Sequence, residues 1–319
     1  MKTTYILLFL LFLGYHVYSQ KINNLVSFRD IESASYLRFN YENDFFSATD
    51  KNYTQGYNLE LAHPSLKKNP INRLFLKTKN YNTRYGISIE HIGFTPSDFV
   101  SPAIQFGDRP FASAIMLKSF TVATDTSKSN RISQSLSLGL IGPGSFGKEM
   151  QVKIHEATGN KIPGGWDNQI KNDIVFNYRI DFEKLLYRYN SIFAINSQAT
   201  AQVGTLFTNI SAGVNVSLGL LKSSFSLKKN KRKFQLYLYS QPVVSLIGYD
   251  ATLQGGFFKK DSPYTIEASK VERFTAEFNY GLILKTSILY FEYAKTTITR
   301  EFESGNSANW GGIKVGFTF

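Results

Sequence analysis

Residues 208–221 read TNISAGVNVSLGLL. In an extended chain successive side chains point to opposite faces. Ile210, Ala212, Val214, Val216, Leu218 and Leu220 then share one face; Asn209, Ser211, Gly213, Asn215, Ser217 and Gly219 share the other. An apolar stripe backed by small polar residues, long enough to span a bilayer when tilted, describes a strand between lipid and a wet lumen.

The same alternation recurs along the chain. In 274–284, Phe274, Ala276, Phe278, Tyr280, Leu282 and Leu284 interleave with Thr275, Glu277, Asn279 and Gly281. At the C-terminus Gly311, Ile313, Val315, Phe317 and Phe319 alternate with Lys314, Gly316 and Thr318, and the chain ends on an aromatic residue, which resembles the closing strand of bacterial outer-membrane barrels. Counting such segments predicts about twelve strands: 35–46, 53–66, 83–92, 110–122, 131–141, 173–182, 191–202, 206–222, 233–250, 271–285, 287–300 and 309–319. An even count suits a single-chain bacterial barrel. Closure is needed because an open edge cannot satisfy its backbone groups in lipid. The predicted fold is therefore all-β: a transmembrane, antiparallel, up-and-down β-barrel.

The bulk properties agree. The first residues, MKTTYILLFLLFLGYHVYSQ, combine Lys2, an apolar run from Tyr5 to Leu13, and small residues before Gln20. This predicts a signal peptide over 1–19 and a single exported barrel domain over 20–319. The apolar run falls short of the roughly 20 residues a spanning helix needs. With no cysteine, disulfides, zinc–thiolate sites and cysteine nucleophiles are excluded. The chain carries 19 Tyr and 27 Phe, yet its mean hydropathy is slightly negative. A barrel uses such aromatics as girdles at the two membrane interfaces. The formal charge of +12 suits an acidic partner such as phosphorylated lipid; export argues against nucleic acid.

Strand parity sorts the loops. With both termini periplasmic, the outer connections are 47–52, 93–109, 142–172, 203–205, 251–270 and 301–308, and the longest loops fall outside, as in known barrels. The 16-residue segment 67–82 falls on the periplasmic side and does not fit this trend. A basic run from Lys228 to Lys233 also lies there and reads as a solvated turn.

Three stretches hold polar residues a barrel does not need: YENDFFSATD (41–50), YTQG (53–56) and GPGSFGKEMQVKIHEATGNKIPGGWDNQ (142–169). All three belong to the outer rim. Thr54, Gly56, Asn58 and Glu60 are expected to face the lumen, with Asn43 and Asp44 across the first hairpin. The third stretch predicts a short helix in an extracellular loop, closed by Gly159 at the position after the C-cap. Gln151 and His155, four apart, then share one face, and Met150 and Ile154 form an apolar edge. A histidine so placed is a candidate general base. No Gly-x-Ser-x-Gly elbow occurs, so a serine acyl-enzyme is disfavoured.

Together, END-x-F beginning at Glu42, TD-x-x-YT-x-G (Thr49–Gly56), DRPFA (Asp108–Ala112) and G-P…Q-x-x-x-H…GWDNQ (Gly142–Gln169) resemble the outer-membrane lipid A 3′-O-deacylase family. The similarity runs from about Tyr36 to the C-terminus. The resemblance implies a twelve-stranded barrel and a calcium-dependent esterase that releases the 3′-linked acyloxyacyl chain of lipid A, with lipopolysaccharide of the outer membrane as substrate. Carried over by motif, His155, Asn43, Thr54 and Gln151 match the functional positions, and Asp44 is the best candidate ligand for Ca2+. Asp108 and Arg109 match without an assignable role. The chain departs from the family pattern once: the carboxylate expected six residues after the histidine is Lys161 here, with Glu156 and Asp167 as substitutes. Two other readings stay open at this point, a non-enzymatic barrel (a small channel or a lipopolysaccharide-binding protein) and an outer-membrane phospholipase.

Overall fold

The computed structural model describes residues 22–47, 52–222, 225 and 234–319. The expected signal segment, the Thr49–Asp50 pair and the basic run 228–233 lie outside the described residues. Twelve antiparallel strands close into one barrel: β1 (Tyr36–Asn43), β2 (Asn52–Ala62), β3 (Asn82–Thr95), β4 (Ala112–Asp125), β5 (Asn130–Ile141), β6 (Asp173–Tyr189), β7 (Phe193–Gly204), β8 (Phe207–Leu220), β9 (Gln235–Asp250), β10 (Phe274–Lys285), β11 (Leu289–Ile298) and β12 (Ala308–Thr318). Each strand pairs with its sequence neighbours, and β1 pairs with β12, Tyr36 opposite Thr318. No edge is left open, which removes the backbone penalty an open sheet incurs in lipid. Among the described residues no helix is long and apolar enough to cross a membrane; the strands do the crossing.

The expected strands are all present, and the boundary differences have local causes. β2 stops at Ala62 because Pro64 opens a 3-10 turn whose first N–H, from Ser65, is taken by the His63 ring. β6 runs on to Tyr189, beyond the expected end at 182, because a register shift between Leu185 and Tyr187 absorbs the Leu-Leu doublet that broke the alternation. The misfit segment after β2 is two 3-10 turns, Pro64–Lys68 and Pro70–Leu74, lying against the outer wall. Asn69 donates to Ser119 Oγ (3.2 Å), and the Leu76 backbone exchanges two hydrogen bonds with the Gln134 amide (2.7 and 3.1 Å). Leu74 and Leu76 stay exposed beside Lys67 and Lys68, the composition of a chain segment lying in a membrane interface.

The lumen is filled. At the end bearing the termini, the segment before β1 enters the barrel and is held from many sides. Arg29 pairs with Glu292 (2.8 Å), Asp30 with Arg84 (2.6 Å) and with Arg131 (3.2 Å), and the Ser27 N–H donates to Glu183 (2.8 Å). Arg38 and Lys285 donate to its carbonyl oxygens. Asn58 and Glu60 face this interior as expected, bonded to Asn24 and Arg38. At the opposite end an apolar cluster drawn from around the barrel fills the interior, with Ile92, Met116, Val175, Phe207, Ile298 and Trp310 among its members.

Candidate active site

Alternation fixes which side chains lie on which side of the wall. On β1 to β4 the exposed apolar residues Leu37, Phe39, Leu59, Ile89 and Leu117 are all odd-numbered. The interior cluster takes the even-numbered Ile92, Phe94, Ala112, Ala114 and Met116 from β3 and β4. Asn43, Gln55, His91, Gly93 and Ser113 therefore belong to the outward face, at its rim end. Gln55, His91 and Ser113 are nevertheless buried (2%, 4% and 0% exposed), because something covers them.

Part of the cover is the loop between β5 and β6. It carries α1 (Gly147–Thr158), the short helix the sequence predicted. The Gly142 N–H donates to the Ser113 carbonyl (2.8 Å), and the Ser145 and Ser113 hydroxyls meet at 2.5 Å. Gly147 sits so close to the wall that a Cβ there would lie 2.3 Å from Ser113 Oγ and 2.9 Å from the Trp166 ring. Gly159 ends the helix at φ 70°, a left-handed position glycine adopts without a steric penalty. The loop thus folds down over the outside of β3 and β4. The loop lies at the outer rim, as expected, but on the outside of the wall: the mouth of the lumen holds the apolar cluster.

The helix turns its polar face inward. Gly147, Gln151 and His155, spaced four apart, are its buried residues, while Met150 and Ile154 remain half-exposed rather than forming the packing edge. An aromatic shelf of Phe99, Phe111 and Trp166 receives that face. Trp166 Nε1 donates to Gln151 Oε1 at 2.6 Å. An indole N–H only donates, so this bond fixes the amide orientation and leaves Gln151 Nε2 as a buried donor with no partner. The His155 ring meets Phe99 edge-on, centroids 5.5 Å apart, and its Nδ1 lies 2.6 Å from the Lys161 carbonyl oxygen. A carbonyl only accepts, so Nδ1 carries the proton and Nε2 is the basic nitrogen of the neutral ring. At position 161 it is the backbone carbonyl, and no side-chain carboxylate, that bonds the His155 ring. Neither proposed substitute does so, since Glu156 is exposed and Asp167 pairs with Lys148 (2.7 Å) on the surface.

The first hairpin supplies the second group. Asn43 Nδ2 donates to the Thr54 carbonyl at 2.6 Å, and Asn43 Oδ1 accepts from the Phe45 N–H at 2.7 Å. A register shift between Tyr53 and Gln55 takes Thr54 out of the lumen-facing phase expected for it, and its hydroxyl meets that of Thr95 at 2.7 Å. Asp44 is 2% exposed and begins a 3-10 turn packed against β2 and β12. The structure brings Asn43 and Thr54 into contact and sets Gln151 and His155 on one buried face. It shows no direct bond between the two groups, which share the same end of the barrel.

The described residues of this hairpin offer oxygen donors: the Asp44 carboxylate, the neighbouring Asn43 side-chain oxygen and, on the strand Asn43 bonds to, the Thr54 hydroxyl. Among the described residues no group of three or more His, Cys, Asp or Glu stands ready for a metal. One carboxylate among neutral oxygens fits a weakly held hard cation such as calcium, with waters completing its shell, and does not fit zinc.

Asp108 and Arg109 have structural work. Asp108 accepts from the Ser97 N–H (2.7 Å), and Arg109 stacks over Phe94 (4.2 Å), pairs with Glu301 (2.9 Å) and donates to Thr252 (3.1 Å). They clamp the β3–β4 loop across the filled lumen. Gln55, His91 and Ser113 were not singled out from the sequence. The signal for them was present: each is a polar residue in an outward stripe otherwise occupied by Ile87 and Ile89, by Tyr57 and Leu59, or by Ile115 and Leu117.

The family of outer membrane protein LpxR matches residues 6–319 of the chain. No curated protein matches it. Among solved structures, LpxR from Salmonella typhimurium superimposes with a TM-score of 0.73 at 19% identity, covering 89% of this chain and 100% of that one. The β domain of the Bordetella autotransporter BrkA aligns with a TM-score of 0.45 at 7% identity, covering 89% of this chain and 98% of that one.

Proposed function

The chain belongs to the LpxR family of outer-membrane proteins, and from that premise we propose that it is a lipid A 3′-O-deacylase, hydrolysing the ester of the 3′-linked acyloxyacyl chain. The observation that carries this reading is the position of the rim polar groups. They lie on the outward face of the barrel, continuous with the lipid-exposed stripe of Leu59, Ile89 and Leu117. A lipid of the outer leaflet reaches such a site sideways, without leaving the membrane. A filled lumen argues for the same reading over a channel.

The residues divide the work as ester hydrolysis requires. His155 Nε2 takes a proton from water as the oxygen attacks the acyl carbonyl carbon. The carbonyl π pair moves onto its oxygen, where the Gln151 Nε2 donor, unpartnered until then, meets the developing charge. As the tetrahedral species collapses, the C–O bond to the sugar breaks, and the proton held on Nε2 passes to the departing sugar oxygen. The Lys161 carbonyl keeps the ring in the tautomer this needs. Asn43 and Thr54 hold the hairpin rigid beside Asp44. Asp44, with the neighbouring oxygens, would hold calcium, which when bound supplies Lewis-acid polarisation of the ester carbonyl.

The test uses purified protein and lipid A in detergent micelles with calcium, reading released acyl chains. His155→Ala lowers the rate by about 10²–10⁴, and a calcium chelator reproduces much of that loss. Release of fatty acid from glycerophospholipid, with none from lipid A, would overturn the assignment in favour of a phospholipase.

A further inference from the structure

One buried group on the outer wall has no part in this chemistry. Gln55 lies on β2 one residue below Thr54, about 3.3 Å deeper towards the membrane interior, and is 2% exposed. Its Oε1 accepts from the Tyr57 hydroxyl (3.2 Å), while its Nε2 is buried with no hydrogen-bond partner among the described residues. Leaving an amide donor buried and unsatisfied is costly, so natural proteins do so rarely and usually for a reason.

The neighbouring position explains where a partner would sit. Gly93 faces Gln55 across the β2–β3 ladder. A Cβ built on Gly93 would have Gln55 as its nearest neighbour, with Cγ at 3.5 Å and Nε2 and the backbone oxygen at 3.9 Å. That is ordinary contact distance, so the backbone has room for an atom there and the sequence leaves it out. The gap sits on the outward face, between Gln55 on one side and Ser113, opposite Gly93 on β4, on the other. One further atom would sit there at ordinary contact distance, beside a hydrogen-bond donor.

We propose that Gln55 and the gap at Gly93 form a seat for an oxygen substituent carried on the acyl chain, an acyloxy ester carbonyl or a hydroxyl close to the scissile ester. This rests on the esterase reading and deepens it by giving the site a means of choosing chains. With the reacting carbonyl at the level of Thr54 and the helix, the acyl chain runs down the outer wall into the leaflet. The first atoms beyond the ester then pass the Gln55 amide. A chain bearing oxygen there satisfies the buried donor; a plain alkyl chain leaves it unpaired. Sites built to bond a substrate oxygen reject analogues lacking it for this reason.

The experiment compares kcat/KM on two lipid A substrates, one with an acyloxyacyl 3′ chain and one with a plain alkyl 3′ chain that carries neither acyloxy group nor hydroxyl. Wild type, Gln55→Leu and Gly93→Ala are measured, with the heat-dependent gel shift of the folded barrel as the control for assembly. The wild type prefers the oxygen-bearing chain. Gln55→Leu removes the donor and reduces that preference by about ten- to a hundredfold. Gly93→Ala, whose methyl the fold accommodates, fills the gap and reduces it similarly, so the result does not depend on one variant. An active wild type whose preference is unchanged in both variants overturns this inference alone. A wild type inert on both lipids overturns the esterase reading, and the seat with it.

Discussion

Beside its edge-on contact with Phe99, the His155 ring makes one hydrogen bond among the described residues, Nδ1 to the Lys161 carbonyl at 2.6 Å. Because the backbone makes that contact, the lysine side chain is dispensable: Lys161→Ala is expected to keep acyl release within about threefold of wild type, as surface substitutions usually do. A loss comparable to that of His155→Ala in the same micelle assay would show that the side chain matters. Trp166 makes the opposite case. Its indole N–H fixes the Gln151 amide, so Trp166→Phe frees that amide to rotate and costs about one hydrogen bond, up to roughly tenfold in kcat. An unchanged kcat would remove Gln151 from the oxyanion role. At this scale the sequence was only partly legible. Four-residue spacing put Gln151 and His155 on one face, but nothing in a linear pattern says that a carbonyl will replace a carboxylate. Gln55 was noted only as part of YTQG, and His91 went unnoticed, because their stripe was judged by its apolar majority, when the polar exceptions marked the covered patch.

At the scale of elements, the wall and the helix are joined through Gly147 and the serine pair above Ser113. Gly147→Val forces a branched side chain into Ser113 and Trp166, so α1 lifts from β4. Deacylation should fall to background while the folded barrel keeps its gel shift; retained activity would place the chemistry elsewhere. The strands themselves were readable because one face meets lipid and the other a polar interior, which imposes a period of two along every strand. The helix was readable from its flanking glycines. Which way its loop folds was not. Parity locates a loop at one end of the barrel, but whether it caps the mouth or drapes over the outside depends on what fills the lumen. That filling is assembled from residues as far apart as Ile92 and Trp310.

At the scale of the whole molecule, twelve strands close one barrel, described residues pack both ends of its lumen, and the proposed site lies on its outer wall. The segment before β1 is bound by buried ion pairs, and removing one partner of such a pair costs about 3–5 kcal/mol. Glu292→Ala, which removes the carboxylate paired with Arg29 and one of the two paired with Lys314, should therefore lower the temperature at which the barrel's gel shift is lost; an unchanged transition would mean the lumen network contributes little. In planar bilayers the wild-type protein should show no discrete channel openings, since both ends of the lumen are filled. On the proposed reading the site takes a lipid from the membrane, and the most direct measurement is a mass spectrum of lipid A from cells expressing the protein beside cells expressing His155→Ala. Wild-type cells should yield lipid A lighter by the 3′-acyloxyacyl chain, and the variant should yield the unmodified species. Identical spectra from the two strains, with both barrels assembled in the outer membrane, would contradict the account.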